Sequence, residues 1–397
     1  MIIIIADDLT GAAETVGICL RHGVGAAMIM EIPGEERLQE YTKEGIAVLV
    51  IACDTRSGTL EEACRVNRLL GETLKQAGSM HIFKKIDSVL RGWVLPELNT
   101  LAGLTGKSSL LIQPANPGAG RCIRDGKYFI NGIELSETAF GLDPEFPASS
   151  SDVMEILQER LPGKEPATLI KFSIPDACHP EDLRNSVLQC GPDVLPAGSA
   201  AFWEAYLEEQ IKRDLILAAG INYRPHTQRK KPPVPSMHHF LMICGSAHQH
   251  SLDYDEYLRK QGVTLMEMPP ELSSEQEPDP AAPAAWANAC VQAWKKEPRL
   301  ALRIASKPIS YENSAHKLKA RFTDALQLIL QQIKPTELFI EGGATAASLL
   351  NRLNWTTFKP VDELAPGVVR LQLMPEPSLF ITLKPGSYFW PEFLFNS

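Results

Sequence analysis

The sequence predicts two α/β domains, each built on a mainly parallel sheet flanked by helices. Three observations lead there. The chain has 397 residues, more than one hydrophobic core usually serves. Short unbroken apolar runs alternate with segments of helical periodicity, the mark of strands buried on both faces. A Pro-rich basic stretch, PHTQRKKPPVPS at 225–236, interrupts the pattern, which then starts again. Such a composition cannot continue a helix or a central strand and reads as a stiff connector. The expected division is therefore 1–224, a linker at 225–236, and 237–397.

In the first half, IIIIA (2–6) leads into Asp7-Asp8-Leu9-Thr10-Gly11, and IAVLVIA (46–52) into Cys53-Asp54-Thr55-Arg56. MHIF (80–83) leads into Lys84-Lys85-Ile86-Asp87, and SLLI (109–112) into Gln113-Pro114-Ala115-Asn116. Each is an expected strand. Helices are expected at 12–22, opened by Thr10 as N-cap, and at 61–77, 152–161, 181–189 and 200–218. A hairpin is expected in GKYFINGIEL (126–135) and one more strand in 193–199. In the second half, 239–243, 300–304, 337–340 and 378–383 are the strands, and 313–332 and 344–353 the helices. The acidic, Pro-rich segment 269–283 reads as an exposed loop.

Composition narrows the class. Hydrophobic residues at 44% and charged residues at 22% are ordinary for a soluble globular protein, and no apolar run reaches membrane-spanning length. A net charge of −9 argues against nucleic acid as the main partner, because phosphate backbones need a basic face. The five-residue apolar start meets two aspartates at once and reads as a first strand rather than a signal peptide. None of the eight cysteines forms a C-x-x-C pair, so a reducing, cytoplasmic setting is expected. His238-His239 and His248/His250 lack further ligands at a sensible spacing, so no metal site is read there.

Ligands of open parallel sheets bind outside the carboxyl ends of the strands. In the first half those ends carry Asp7, Asp8, Asp54, Arg56, Lys84, Lys85, Asp87, Arg91 and Arg121. Basic groups there suit a carboxylate and aspartates suit hydroxyls, as a polyhydroxy acid requires. In the second half the ends carry Gly245-Ser246, Gly342-Gly343, Thr345 and Gly386-Ser387. Glycines before a helix start, with free N–H groups, make an anion site. Neither of the common phosphate fingerprints is present.

At these residues the chain resembles the four-carbon acid sugar kinases. IADDLTGA (5–12), DTRS (54–57), KKIDSVLRG (84–92), PANPGAGR (114–121), the hairpin with Asp143, and AGSAA (197–201) carry the likeness to that family's substrate-binding domain. CGSA (244–247), GGAT (342–345) and LKPGSYFW (383–390) resemble its nucleotide domain more loosely. Ala344 stands where the family usually has an acid, and Pro385 and Tyr388-Phe389-Trp390 stand in a segment that usually reads Lys-Ser-Gly-Asn-Phe-Gly.

The resemblance implies ATP- and Mg²⁺-dependent phosphorylation of erythronate, threonate or a 3-oxo-tetronate, in a cleft between the domains. It implies catalytic roles for Asp8, Asp87 and Lys85 and sugar-acid contacts from Asp7, Asp54, Arg56, Arg91 and Arg121. Nucleotide contacts fall to Ser246, Gly342, Gly343, Ala344, Thr345 and Gly386. The expected partners are a small sugar acid and ATP, with neither nucleic acid nor membrane; oligomeric state, a homodimer included, stays open. The altered motifs leave an alternative: a relative that binds a sugar acid or a nucleotide without phosphoryl transfer.

Overall fold

The structure, a computed structural model, describes residues 1–78, 81–143, 145–161, 170–213, 234–245, 249–304 and 314–395. The chain separates into two compact units, Met1–Arg229 and Lys230–Ser397. Residues 225–233 of the expected connector lie outside the described residues, as does Ser246.

The strands of the first unit are β1 (Ile2–Ala6), β2 (Ala26–Ile29), β3 (Val48–Ala52), β4 (His81–Lys85), β5 (Ser109–Gln113), β6 (Arg121–Arg124), β7 (Lys127–Ile130), β8 (Ile133–Glu134), β9 (Lys171–Ser173) and β10 (Val194–Gly198). Its helices are α1 (Leu9–Arg21), α2 (Glu35–Lys43), α3 (Leu60–Ala77), α4 (Val94–Thr105), α5 (Val153–Glu159), α6 (Pro180–Leu188) and α7 (Ala200–Lys212). The main sheet runs β2-β3-β1-β4-β10-β5-β9, parallel at every pairing. Every residue of β1 and β3 is buried, which is why those strands read as unbroken apolar runs. Phe83 of β4 meets the rings of Phe202, Trp203 and Tyr206 of α7 at 5.2–5.8 Å. Burying each such ring stabilises the unit by roughly 1.5–3 kcal/mol. A separate antiparallel ribbon, β6-β7-β8, forms at the expected hairpin.

The second unit has β11 (Phe240–Cys244), β12 (Thr264–Glu267), β13 (Arg299–Arg303), β14 (Glu337–Glu341), β15 (Thr357–Ala365), β16 (Val368–Leu373) and β17 (Phe380–Lys384). Its helices are α8 (Gln249–Lys260), α9 (Pro270–Ser273), α10 (Ala282–Lys296), α11 (Ser314–Leu330) and α12 (Gly343–Arg352). The order β12-β13-β11-β14-β17 is parallel, and β16 and β15 extend it antiparallel. The hairpin β15–β16 departs from the expected repeat of strand and helix. Its first strand carries Lys359, Pro360, Asp362 and Glu363, and the pairing shifts register at Pro360/Asp362. The segment 269–283, expected as a loop, holds the one-turn α9 and the start of α10.

Both sheets reverse direction of growth at one place. From β1 the chain goes to β2, two places away, returns inward to β3 beside β1, then crosses to β4 on the other side. From β11 it goes likewise to β12, two places away, returns inward to β13 beside β11, then crosses to β14. Loops leaving the two strands at such a point diverge and leave a crevice for a ligand.

Candidate active site

In the first unit the crevice lies beyond β1 and β4, and the loops after β1, β3 and β4 fill it with charge. Arg56 sits at its centre. Its Nε and Nη2 hold the two carboxylate oxygens of Asp7 at 3.0 and 2.9 Å, a two-pronged pair. The same Nη2 reaches Asp8 Oδ1 at 2.8 Å, and Nη1 stands 3.6 Å from Asp87. Arg56 is fixed from both ends, since its backbone N–H bonds Asp7 O at 3.1 Å. Gly92, at a φ of 88°, passes so close that a Cβ there would meet Arg56 Cγ at 3.1 Å.

Asp8, not Thr10, is the N-cap of α1. Its carboxylate accepts Gly11 N at 3.0 Å and the Thr10 hydroxyl at 2.5 Å, and its extended backbone starts the helix. A Cβ on Gly11 would stand 2.5 Å from Asp8 Oδ1 and 2.9 Å from Lys85 Nζ. Glycine at this position therefore keeps Asp8 and Lys85 together. Asp87 accepts Arg91 Nε and Nη2 at 3.0 and 2.9 Å, and the amides of Val89 and Arg91, each at 3.2 Å. Leu90 turns this loop back with a φ of 63°, a conformation that a branched side chain adopts only under constraint.

The three aspartates are electrically distinct. Burial works against ionisation of Asp87, but Arg56 and Arg91 outweigh it and hold its carboxyl far below the usual range. Burial likewise opposes ionisation of Asp8, and Arg56, Lys85 and the Thr10 hydrogen bond leave it below its ordinary value. Asp7 goes the other way: burial, only partly countered by Arg56, raises it.

The two lysines of β4 separate because neighbours on a strand face opposite ways. Lys84, fully buried, pairs with Glu97 of α4 at 2.5 Å, and Thr55 Oγ1 donates to the same carboxylate at 2.7 Å. That is an internal ion pair on the helix side. Lys85 faces the crevice beside Asp8 and donates to Ile86 O at 3.1 Å.

The ribbon closes the far edge. Arg121 bonds the hydroxyl of Ser88, and the Tyr128 hydroxyl bonds the Ser88 carbonyl. Arg91 reaches Asp143 at 3.3 Å, and the Arg91 and Arg121 guanidinium groups lie 5.5 and 5.9 Å from the centre of the Phe140 ring. Arg160 bonds Leu90 O and covers Phe146 at 5.1 Å. Among the described residues no carboxylate lies within ion-pair distance of Arg121, whereas Arg56 and Arg91 are each held by acids. The structure thus gathers Asp7, Asp8, Arg56, Lys85, Asp87, Arg91 and Arg121. Asp54 stays exposed, at a φ of 51° on the loop after β3. Phe140 and Arg160 join the group without a sequence signal: one sits in an irregular stretch, and the other resembles any arginine at a helix end.

In the second unit the crevice lies beyond β11 and β14. Gly342 caps α12 at a φ of 98° and has no side chain to occupy the first amides of the helix. Those amides of Gly343, Ala344 and Thr345 form a cradle for an anion. Gly245, after β11, packs against Thr345 so closely that a Cβ would stand 2.6 Å from Thr345 Cβ. Beneath the turns, Arg303, Cys244, Glu341 and Lys384 form one row across the strand ends. Lys384 Nζ stands 3.3 Å from Glu341 and donates to Pro385 O at 3.0 Å and Tyr388 O at 2.5 Å. Trp390 Nε1 donates to Glu341 at 3.1 Å, and its ring meets Phe339 edge-on at 5.7 Å. Of the unusual residues after Lys384, Trp390 is therefore packed into this unit and Phe389 is exposed, with Gly386 on the turn between Lys384 and Tyr388.

Comparison with known proteins matches both halves. A sugar-binding N-terminal domain family matches residues 2–189, and a nucleotide-binding C-terminal domain family matches 241–388. The chain is 30% identical over 155 residues to a D-threonate kinase of Bordetella bronchiseptica, a match spanning 39% of this chain and 38% of that protein. It is 22% identical to a 3-oxo-tetronate kinase of Haemophilus influenzae across 98% of this chain and 97% of that one. A D-erythronate kinase of Heliobacterium modesticaldum is 31% identical over 39% of this chain and 35% of its own length. Among solved structures, a Haemophilus influenzae protein of the DUF1537 family superposes with a TM-score of 0.67 at 19% identity, covering 99% of this chain and 98% of that one. This last likeness concerns the fold.

Proposed function

Because the chain belongs to the four-carbon acid sugar kinase family in both of its halves, we propose that it transfers the γ-phosphoryl group of ATP to a hydroxyl of a four-carbon sugar acid of the erythronate, threonate or 3-oxo-tetronate type. The observation that carries this reading is the charge arrangement beyond β1 and β4: aspartates held ionised beside Lys85, with Arg121 within ion-pair distance of no acid among the described residues.

Phosphoryl transfer asks a protein chiefly for positioning and for charge compensation. Asp8, ionised and placed next to Lys85, orients the acceptor hydroxyl and takes its proton. Asp87 is less suited to that step, because Arg91 and two amides already occupy its oxygens. Its role is to hold Arg56 and Arg91 in place. Lys85 faces the charge that develops on the migrating group. Arg121 receives the substrate carboxylate, while Asp7, whose two oxygens are bound by Arg56, holds that arginine in place. In the second unit the amides after Gly342 and the surface of Gly245 and Gly386 accept the ATP phosphates; Mg²⁺ arriving on the triphosphate neutralises part of their charge.

Ala344 favours a second reading, binding without transfer, since an acid is usual there. Calorimetry with Mg-ATP, paired with mass detection of a phosphorylated acid, distinguishes the two. The kinase reading predicts binding at ordinary cellular ATP concentrations, and binding of a sugar acid alone would support the second.

A further inference from the structure

We propose that Cys122 and Cys178 form a redox-reactive dithiol, which closes to a disulfide with two-electron oxidants of the hydroperoxide class. The argument starts from register. Ile123 N donates to Ala177 O at 3.0 Å and Ala177 N to Ile123 O at 2.9 Å, an antiparallel bridge that exchanges both bonds. The next residues, Cys122 and Cys178, are therefore opposite each other in a pair without backbone hydrogen bonds. Such pairs have Cα atoms about 4.5 Å apart with converging side chains, and disulfides need about 4.4–6.8 Å. The two thiols are within hydrogen-bonding reach of each other, and Cys178 Sγ also lies 3.5 Å from Ile123 O.

Both residues are partly exposed, whereas Cys19, Cys244 and Cys290 are buried. The Cys178 segment is anchored, since Asp182 accepts the amides of Cys178 and His179 at 2.9 and 2.8 Å. Burial, and then the hydrogen bond with Cys122, push the Cys178 thiol up to about 11. Cys178 Sγ is also engaged with Ile123 O, so Cys122 is the sulfur that meets the oxidant first. Its thiolate attacks the peroxide, the O–O bond breaks, and Cys122 becomes a sulfenic acid with release of one water. Cys178 then attacks that sulfur, losing its proton as the second water leaves. Two thiols and one hydrogen peroxide give one disulfide and two waters; an organic hydroperoxide gives its alcohol in place of the first water. The bond ties β6 to the 177–178 segment on the face opposite Arg121, the first residue of that strand.

The test is a peptide map of the folded full-length protein after reductant removal, hydrogen peroxide treatment and alkylation. The expected product is a peptide containing Cys122 joined to one containing Cys178, two hydrogens lighter and cleaved by dithiothreitol. Cys178→Ser should accumulate a dimedone-reactive sulfenic acid on Cys122, Cys122→Ser should not label at Cys178, and Cys64→Ser should keep the cross-link. Both cysteines alkylated after oxidant is consumed, or cross-links that do not join these two, would overturn the proposal. The mapping needs no turnover, so it is separable from the kinase reading.

Discussion

Arg56 and Arg121 have the same side chain and opposite situations. Arg56 compensates Asp7, Asp8 and Asp87. Removing it leaves buried acids unpaired, so Arg56→Ala should cost about 3–5 kcal/mol of stability, read by denaturant unfolding. Arg121 meets a hydroxyl and a ring face, so Arg121→Ala should leave the unfolding midpoint nearly in place. It should instead raise KM for the sugar acid roughly 10- to 100-fold, the worth of a charge-assisted contact. Asp8→Asn should lower kcat by about 10²–10⁴-fold while KM for ATP holds. Asp87 adds a pH signature. Its folded value is depressed, so its stabilisation is complete above the unfolded value of about 3.9 and is lost as pH falls toward the folded one. Asp87→Asn should flatten the acid side of the stability profile between about pH 4 and 2, measured by chemical denaturation. Most of these residues stood out in the sequence because they follow apolar runs directly. What sequence could not settle was direction: Lys84 and Lys85 are adjacent and chemically alike, and only the phase of β4 sends one to Glu97 and the other to the crevice.

The turns matter most at the scale of the elements. The sequence read correctly that glycines close β11 and open α12, because no other residue type tolerates both the approach to Thr345 and a φ of 98°. A methyl at position 245 has to push Thr345, hence the first turn of α12. Gly245→Ala should therefore destabilise the protein by about 1–3 kcal/mol and weaken Mg-ATP binding more than sugar-acid binding, each followed by calorimetry. The strands read best from sequence were those buried on both faces, such as β1 and β3. The antiparallel β15–β16 hairpin escaped because its first strand carries a proline and several charges. The tail after Lys384 looked like a loss of motif. It is instead held by Lys384 and seated through Trp390 on Phe339.

For the molecule as a whole, two sheets share one logic: from a central strand the chain goes two places out, returns inward, then crosses over that strand, and each sheet places its distinctive residues at that crossing. The first crossing is rich in paired charge; the second is rich in glycine and backbone donors. On the proposed function, the polyhydroxy acid acceptor goes to the first and the phosphoryl donor to the second. Restarted grammar made the two units legible before any coordinates. Which acid the proposed reaction takes was not, because erythronate and threonate differ only in configuration and their 3-oxo relatives only by a carbonyl in place of one hydroxyl. The most direct test is an ATP-consumption assay with Mg²⁺ against D- and L-erythronate, D- and L-threonate and 3-oxo-tetronates, with mass detection of the product. The account predicts one preferred acid, converted to its monophosphate with matching loss of ATP. No phosphorylated product from any of them, together with no Mg-ATP binding by calorimetry, would contradict it.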